Sequence, residues 1–353
     1  MPTLLLTNPL FTAMKMLWLL LLPFSMTAAA QSATFQVRQF SPDYHARIFI
    51  QDTSEVFSPG WVAVYNSHTH QELIRVTSDE LALSLHNGQA LANVQELPYG
   101  EQSLVIYEDF NFDGIKDFAI EDGQTSCYHG PSFQVYLAAG KGFELSTSFT
   151  ALAQEYCGMF RTDHQTRRIY TMTKSGCCWH QFSEFSVSGN EPVAEKVVEE
   201  DFMRFPFGTI TTETRQGSRM VSSSQNTINL DDEMVKVHYR FNLERNGKKA
   251  VVCTIDDRLY YILLRSDDTV EFAYPAPEAE IQPNDFRLVV QNGETQLHFT
   301  NKNARYQVSD AQGGRIDVTV NGKTTLIRAE KGTSTGQLGA LRDLSYANLQ
   351  TQP

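Results

Sequence analysis

Basic residues are scarce relative to acidic ones in this sequence. The chain has 29 Lys and Arg against 41 Asp and Glu, which gives a formal net charge of −12 at pH 7. Removing residues 1–30, which include Lys15 and no acidic residue, leaves 28 basic against 41 acidic residues and a charge of −13. Because nucleic acids and anionic lipids attract positive charge, this balance argues against both as partners. It favours a soluble protein with a cationic partner.

Long apolar runs are also missing after residue 30, so the sequence predicts no membrane span. At the start of the chain, Lys15 precedes a short apolar run at residues 17–24 and the small residues AAA at 28–30. This order is typical of a secretory signal peptide, and we expect cleavage after Ala30. The sequence therefore predicts a periplasmic or secreted protein, and residues 1–30 are excluded from the fold prediction.

Cysteine is infrequent, and every Cys lies beyond the signal peptide, at Cys127, Cys157, Cys177, Cys178 and Cys253. In an oxidising compartment these residues predict two disulfides and one free thiol, with the pairing left open. Because a disulfide between neighbours is strained, we expect at most one of Cys177 and Cys178 to pair, with Cys127 or Cys157. A zinc site is less favoured, since no second close pair of Cys or His supplies the usual spacing.

Helix-period patterns are scarce, whereas short alternating runs bounded by Gly, Asn, Asp and Pro recur from residue 34 to 330. This pattern predicts an all-β protein. The clearest runs are residues 61–65, 103–108, 133–137, 235–241, 286–290 and 316–320. Three Asn-Gly pairs, at 246–247, 292–293 and 321–322, predict tight hairpin turns. Only residues 337–349 carry a helical stripe.

The domain organisation follows from these patterns. Residues 31–204 are predicted to form a β domain that is either propeller-like or a meander. The spacing of acidic residues at 107–120 predicts that this domain binds calcium. A polar, Thr-rich stretch without periodicity at residues 205–227 predicts a linker. Residues 228–353 are predicted to form a smaller antiparallel β domain.

One stretch carries the spacing of a metal loop: residues 107–120, YEDFNFDGIKDFAI. Oxygen-bearing side chains recur at every second residue and Gly114 permits a sharp turn, which is the arrangement that hard cations such as calcium prefer. The predicted ligands are the side chains of Asp109, Asn111, Asp113 and Asp117 and the carbonyl of Ile115. The alternative is an Asx-rich turn that binds nothing.

The flanks of this loop separate it from the helix-loop-helix calcium motif. That motif places a bidentate Glu at its twelfth position, which here is Ile120, and the neighbouring segments SLVIY and FAI are strand-like. The loop therefore resembles the calcium loop in a β-hairpin of integrin-type FG-GAP repeats. This likeness supports an alternative function, an adhesion or carbohydrate-binding module without inhibitory activity.

A wider resemblance rests on three stretches: VAVYNSHTHQELIRV at 62–76, YEDFNFDGIKDFAIEDG at 107–123 and CYHGPSFQVYL at 127–137. Together they are similar to the periplasmic immunity proteins of bacteria-killing type IV secretion systems, which inhibit lysozyme-like peptidoglycan hydrolases. The specific part is DFNFDG with the following acidic residue, and then a Gly-Pro before an aromatic strand. The resemblance implies an all-β, propeller-like fold with bound calcium, and it covers about residues 35–200.

The family also resembles I-type lysozyme inhibitors, in which a loop bearing Ser-Gly and then Tyr enters the hydrolase cleft. The nearest counterpart here is SGCCWH at residues 175–180, which has Trp in place of Tyr and two Cys in between. The resemblance thus implies a partner-binding loop that contains Ser175, Gly176, Trp179 and His180. The implied partner is a peptidoglycan hydrolase or another cationic protein.

Catalytic patterns are weak, and we predict that the protein is not an enzyme. The sequence GTSTG at 332–336 fits a G-x-S-x-G nucleophile elbow, but no His follows it, as that fold requires. His68 and His70 fall at an expected turn, where exposed His residues are common. Adjacent acidic residues such as Asp231 and Asp232 are usually solvated and do not single out a glycosidase pair.

Overall fold

A computed structural model describes residues 31–97, 100–291 and 293–352. The predicted signal peptide at 1–30 and the Asn of the 292–293 pair lie outside the described residues. The described chain is nearly all strand, so the predicted all-β class is confirmed. Its strands form four sheets, each built mainly from consecutive antiparallel strands, as a meander requires.

The first two sheets contain four strands each in the described residues. The first consists of β1 (Ala33–Val37), β2 (Tyr44–Ile50), β3 (Ser58–Asn66) and β4 (Glu72–Leu81). The second consists of β5 (Val105–Glu108), β6 (Asp117–Ser126), β7 (Gly130–Ala139) and β8 (Gly142–Ser146), and it is followed by the helix α1 (Thr147–Gln154).

The third sheet runs through the middle of the chain. Its first strands are β9 (Arg161–Asp163), β10 (Arg168–Ser175), β11 (Trp179–Ser188), β12 (Glu191–Arg204), β13 (Phe207–Gln216) and β14 (Arg219–Ile228). It continues with β15 (Val235–Asn242), β16 (Lys249–Ile255), β17 (Arg258–Leu264) and β18 (Val270–Tyr274). The two parts join where β14 pairs with β18 through Asn226 and Val270.

The fourth sheet closes the C-terminal part. Its strands are β19 (Phe286–Gln291), β20 (Glu294–Asn301), β21 (Ala304–Ser309), β22 (Arg315–Val320) and β23 (Lys323–Arg328). Two short strands come last: β24 (Thr335–Gly336) pairs with β15, and β25 (Leu349–Gln352) runs parallel to β19.

The Asn-Gly turns lie where the sequence predicts them. Asn321 and Gly322 have φ values of 49° and 79° between β22 and β23, as expected for a two-residue type I′ turn. Gly247 and Gly293, with φ of 64° and 77°, lie in the connections β15–β16 and β19–β20. Left-handed backbone is cheap for Gly, so these turns fix the register of the C-terminal strands.

The predicted linker at 205–227 is wrong, because these residues form the hairpin β13–β14. Ten cross-strand pairs hold the hairpin together, from Phe207 and Ile228 at its base to Gln216 and Arg219 at its turn. Thr and Ser residues at exposed positions gave the segment its linker-like composition, yet β-branched Thr suits a strand with solvated faces. The break between the two parts of the third sheet lies after Ile228.

The predicted helix at 337–349 is also wrong. Leu338–Leu341 form one 3₁₀ turn, and the chain then enters β25. Leu338 and Leu341 are both fully buried in the C-terminal core, so their spacing reflects burial rather than a long helix. The helix that does form, α1, was missed. Ser146 caps it by accepting a hydrogen bond from the amide of Phe149.

The second sheet lies between two cores and positions the metal-loop segment. Val105 and Ile120 pack into the core shared with the first sheet, whereas Ile106 and Ala119 pack into the core with α1 and the start of the third sheet. The strands β5 and β6 are therefore buried on both faces. Their connection, residues 109–116, is held at both ends by rigid structure.

A buried carboxyl lies in the same sheet. The Glu121 side chain is 1% exposed, and its Oε1 accepts hydrogen bonds from the amide of Ala82 and from Nε2 of Gln124, each at 3.0 Å. Burial raises the pKa of Glu121 from 4.5 to about 8, although these hydrogen bonds act in the opposite direction. The folded state thus holds a proton that the unfolded state releases at neutral pH.

We expect stability to fall as pH rises because of Glu121. The stabilisation from its bound proton is fully present below pH 4.5 and is lost as pH rises through about 8. Each pH unit in this window changes the free energy of unfolding by up to about 1.4 kcal/mol. Thermal unfolding at several pH values should show a shallower pH slope for Glu121→Gln than for the wild type. An exposed control, Glu144→Gln, should keep the wild-type slope, and equal slopes in all three would contradict the prediction.

Candidate functional site

The loop between β5 and β6 is closed by hydrogen bonds from its own backbone. Asp109 accepts from the amides of Asp113 and Gly114 at 3.1 and 2.9 Å, and Asp113 accepts from the amide of Ile115 at 2.7 Å. Gly114 has φ of 91°, which is the left-handed turn that the sequence predicts at this glycine. The structure thus brings Asp109, Asn111 and Asp113 together around one tight turn.

Asp117 lies behind this turn rather than at its rim. Its carboxylate is fully buried, and its two oxygens accept hydrogen bonds of 2.8 Å from the amides of Phe110 and Ala138. Burial is the largest cause that raises the pKa of Asp117 from 3.8 to about 6; the hydrogen bonds from Ala138 and Phe110 oppose this rise, and the negative charges of Asp113 and Asp109 contribute to it. Its position ties the loop to the strands β5, β6 and β7.

The donor chemistry of the loop fits calcium, because carboxylate, amide and carbonyl oxygens are hard ligands. The negative charges of Asp109 and Asp113 contribute to the raised pKa of Asp117, so a bound divalent cation would offset the repulsion among the three carboxylates. In the described residues, however, no three His, Cys, Asp or Glu side chains are close enough to hold a metal ion by themselves. A cation here would also need Asn111 and the carbonyl of Ile115.

Two contacts join the loop to the third sheet. Nδ2 of Asn111 donates to Oδ1 of Asn190 at 3.1 Å, and a guanidinium nitrogen of Arg167 donates to the carbonyl of Phe112 at 2.7 Å. Asn190 lies in the β11–β12 turn, and Arg167 lies in the β9–β10 turn. The loop therefore holds one end of the hairpins that β10, β11 and β12 form.

The predicted partner loop lies at the opposite end of β10 and β11. Ser175 ends β10, residues 176–178 form the turn, and Trp179 and His180 begin β11. Since β10 has eight residues, this tip lies about 25 Å from the end held by the loop. The sequence-predicted metal and partner residues are thus separate sites joined by two strands. We call residues 175–180 the hairpin tip.

The disulfides correct the predicted pairing. Cys127 pairs with Cys157, and Cys177 pairs with its neighbour Cys178, whose Cα lies 3.7 Å away in the hairpin tip. The expectation that neighbours would not pair is wrong, because the turn holds both thiols on one short segment with no other Cys bonded to them. Cys253 is a free, buried thiol, and burial raises its pKa to about 12.

Sequence reasoning missed Tyr128, which braces the hairpin tip from a distant part of the chain. Tyr128 follows Cys127 in a 3₁₀ turn, its ring is 62% exposed, and its hydroxyl accepts a hydrogen bond from the amide of Gly176. The amide of Phe202 donates to the carbonyl of Cys178 at 2.7 Å from the other side. Beside Tyr128, the ring of His129 lies 5.2 Å from that of Phe57.

The Cys127–Cys157 disulfide is expected to stabilise both the fold and this brace. It closes a loop of 30 residues, for which loss of the crosslink costs about 3–4 kcal/mol. The double variant Cys127→Ser/Cys157→Ser should therefore unfold at a clearly lower denaturant concentration than the wild type. Reductant should lower the wild-type midpoint and leave that of the double variant almost unchanged. A wild-type midpoint unaffected by reductant would contradict the assignment.

The patterns considered for catalysis occupy ordinary structural positions. The Ser334 hydroxyl donates to the carbonyl of Gly313, and no helix starts directly after it. His68 and His70 lie in the β3–β4 turn, and Nε2 of His68 contacts Asp43 at 3.2 Å.

Comparisons with known proteins give weak likenesses. No family model and no curated protein sequence matches the chain. Among solved structures, it is similar to a Xanthomonas type IV secretion system related protein, with 18% identity and a TM-score of 0.43 over 56% of this chain and 94% of that one. It is also similar to prolyl oligopeptidase B from Galerina marginata, with 9% identity and a TM-score of 0.24 over 87% of this chain and 43% of that one. Neither likeness assigns a function to this chain.

No helix within the described residues is long and apolar enough to span a membrane.

Proposed function

We propose that this protein is a periplasmic or secreted, calcium-stabilised binding protein that blocks a lysozyme-like peptidoglycan hydrolase. The hairpin tip acts as a rigid plug, and the protein carries out no chemistry of its own. The observation that carries the proposal is the construction of the tip. A turn of three residues is held by a disulfide within it and braced by Tyr128 from a second disulfide-linked segment.

Rigidity matters because a plug that is ordered before binding loses little conformational entropy on entering a cleft. The tip also offers Trp179 and the exposed ring of Tyr128, and Trp and Tyr are the residues that most often dominate binding energy. The sequence resemblance implies a partner-binding loop within residues 175–180. In the structure, Tyr128 contacts this loop through Gly176.

Charge supports a cationic partner. The expected mature chain has a formal charge of −13, and acidic residues at Glu199, Glu200 and Asp201 lie on β12 directly beside the start of β11. Enzymes that act on anionic cell walls are often cationic, so opposite charges would speed their encounter with the tip. This contribution should weaken as salt is added.

In this proposal, calcium would stabilise the hairpin tip without contacting the partner. Asp109, Asn111 and Asp113, with the carbonyl of Ile115 and the buried Asp117, would hold the cation at one end of β10 and β11. A cation bound in the loop would hold the turns that contain Asn190 and Arg167. It would therefore also hold the orientation of the strands that carry the hairpin tip. The expected effect is on stability and rigidity rather than on contact with the partner.

Direct binding tests the proposal. Biolayer interferometry with the immobilised mature protein should detect a cationic lysozyme-type hydrolase at micromolar concentration or below, with a one-to-one complex. A cationic protein of similar size without hydrolase activity, such as cytochrome c, should bind weakly at physiological salt. Equal binding of both would mean that charge alone drives association and would contradict a plug.

A further inference from the structure

The structure contains a groove that neither the loop nor the hairpin tip uses. It lies on one face of the third sheet and has a volume of about 440 Å³, which is within the range of small-molecule sites. Its walls are mainly apolar and include Leu97, Met159, Met172, Phe182 and Val198. It is the face of β10, β11 and β12 that remains open beside the segment 157–161.

The strand register sorts the lining of this groove by polarity. One cross-strand row contains Met172, Phe182 and Val198, which are all apolar. Two residues further along each strand, the corresponding row contains Tyr170, Glu184 and Lys196, with Arg161 next to Tyr170. Since a strand advances about 3.3 Å per residue, the apolar and charged ends lie about 7 Å apart. The groove is therefore amphipathic along its length.

The charged end is cationic. Glu184 is already paired with Arg168, whose Nε lies 3.0 Å from its carboxylate. Arg161 stacks on the ring of Tyr170, with its guanidinium carbon 4.5 Å from the ring centre, and neither Arg161 nor Lys196 forms an ion pair with any described residue. Two cations thus remain without a counter-ion, in a protein whose net charge is strongly negative.

Between the two rows lies a third row, whose side chains point to the other face of the sheet. Thr171 and Ser183 face each other across β10 and β11, are 6% and 3% exposed, and lie on the same side of the sheet as Ile169 and Phe185 of the buried core. Neither hydroxyl has a hydrogen-bond partner among the described residues. Because they lie on that other face, these side chains do not reach a molecule in the groove, where an anion would be held by Arg161 and Lys196.

We infer that this groove binds a small amphipathic anion, a carboxylate with a single medium-length apolar chain. The apolar chain would lie over Met172, Phe182 and Val198, and the carboxylate would face Lys196 and Arg161. The inference does not depend on the hydrolase proposal, because it rests on the middle of β10, β11 and β12 rather than on the hairpin tip.

Isothermal titration of the mature protein with decanoate tests this inference. We expect saturable one-to-one binding, and binding of decyltrimethylammonium at least tenfold weaker, because the two probes share an apolar chain and differ in the sign of their charge. Lys196→Gln should weaken decanoate about tenfold, whereas Lys323→Gln, an equally exposed change on β23, should have no effect. Val198→Trp should fill the groove and abolish binding.

Thr171, on the opposite face of β10, provides a second control. Thr171→Val keeps the side-chain shape on the buried face, so it should leave the affinity for decanoate unchanged. Three results would overturn the inference: no saturable decanoate binding, equal affinity for the cationic probe, or equal effects of Lys196→Gln and Lys323→Gln. The comparison of Lys196→Gln with Lys323→Gln still tests the inference if Val198→Trp does not fold.

Discussion

Asp113→Ala is expected to lower the melting temperature in calcium and to abolish its dependence on calcium. Asp113 lies at the centre of the proposed donor set, and its carboxylate also accepts from the amide of Ile115. A cation present at a hundred times its dissociation constant stabilises the folded state by about 2.7 kcal/mol, which corresponds to several degrees in a chain of this size. The measurement is differential scanning fluorimetry in millimolar calcium and in EDTA.

A matched control separates calcium from the turn itself. Asp267 makes the same kind of contact in the β17–β18 turn, where Oδ1 accepts from the amide of Thr269 at 3.1 Å. Asp267→Ala should therefore cost a similar amount of local turn stability while the response to calcium remains that of the wild type. If the wild type melts at the same temperature in calcium and in EDTA, the loop is an Asx-rich turn that binds nothing.

Removing the aromatic side chains of the hairpin tip should have the largest effect on function. Trp179→Ala is expected to weaken hydrolase inhibition by at least about thirtyfold, since a dominant interface residue contributes 2 kcal/mol or more. Tyr128→Ala should also weaken it, because the variant loses exposed aromatic area and the contact with Gly176. The inhibition constant would be measured from initial rates of cell-wall lysis.

The control for this series is Leu326→Ala, which removes an exposed apolar side chain from β23, outside the proposed surface. It should inhibit like the wild type. A second comparison uses Cys177→Ser/Cys178→Ser, which keeps Trp179 but removes the disulfide within the turn and should weaken inhibition through lost rigidity. If Trp179→Ala and Leu326→Ala inhibit equally well, the tip is not the plug.

The sequence predicted those parts of the fold that depend on local rules. Alternating apolar residues and turn-forming Asn-Gly pairs specify strands and hairpins wherever one face is buried, and the strand at 235–241 and the turn at Gly322 follow those rules. The tight turn at Gly114 could also be predicted from the sequence, because Gly adopts the positive φ that lets Asp109 accept a hydrogen bond from the amide of Asp113.

Features that depend on contacts between distant parts of the chain could not be predicted from the sequence. The hairpin β13–β14 looked like a linker because both its faces are largely solvated, so that no apolar alternation marks it. Nothing local identifies Tyr128 as part of the tip, since its contact with Gly176 spans 48 residues. The buried position of Asp117 depends on the amide of Ala138, a neighbour only after β7 has paired with β6.

Inhibition of peptidoglycan lysis by purified residues 31–353 is the most direct test of the proposed hydrolase blocking. A panel of lysozyme-type hydrolases would be titrated with the protein in calcium and again in EDTA, with folding checked by circular dichroism. We expect stoichiometric inhibition of at least one enzyme, weakened by EDTA and by Trp179→Ala. Folded, calcium-bound protein that inhibits no enzyme of the panel would contradict it and favour a binding module without inhibitory activity.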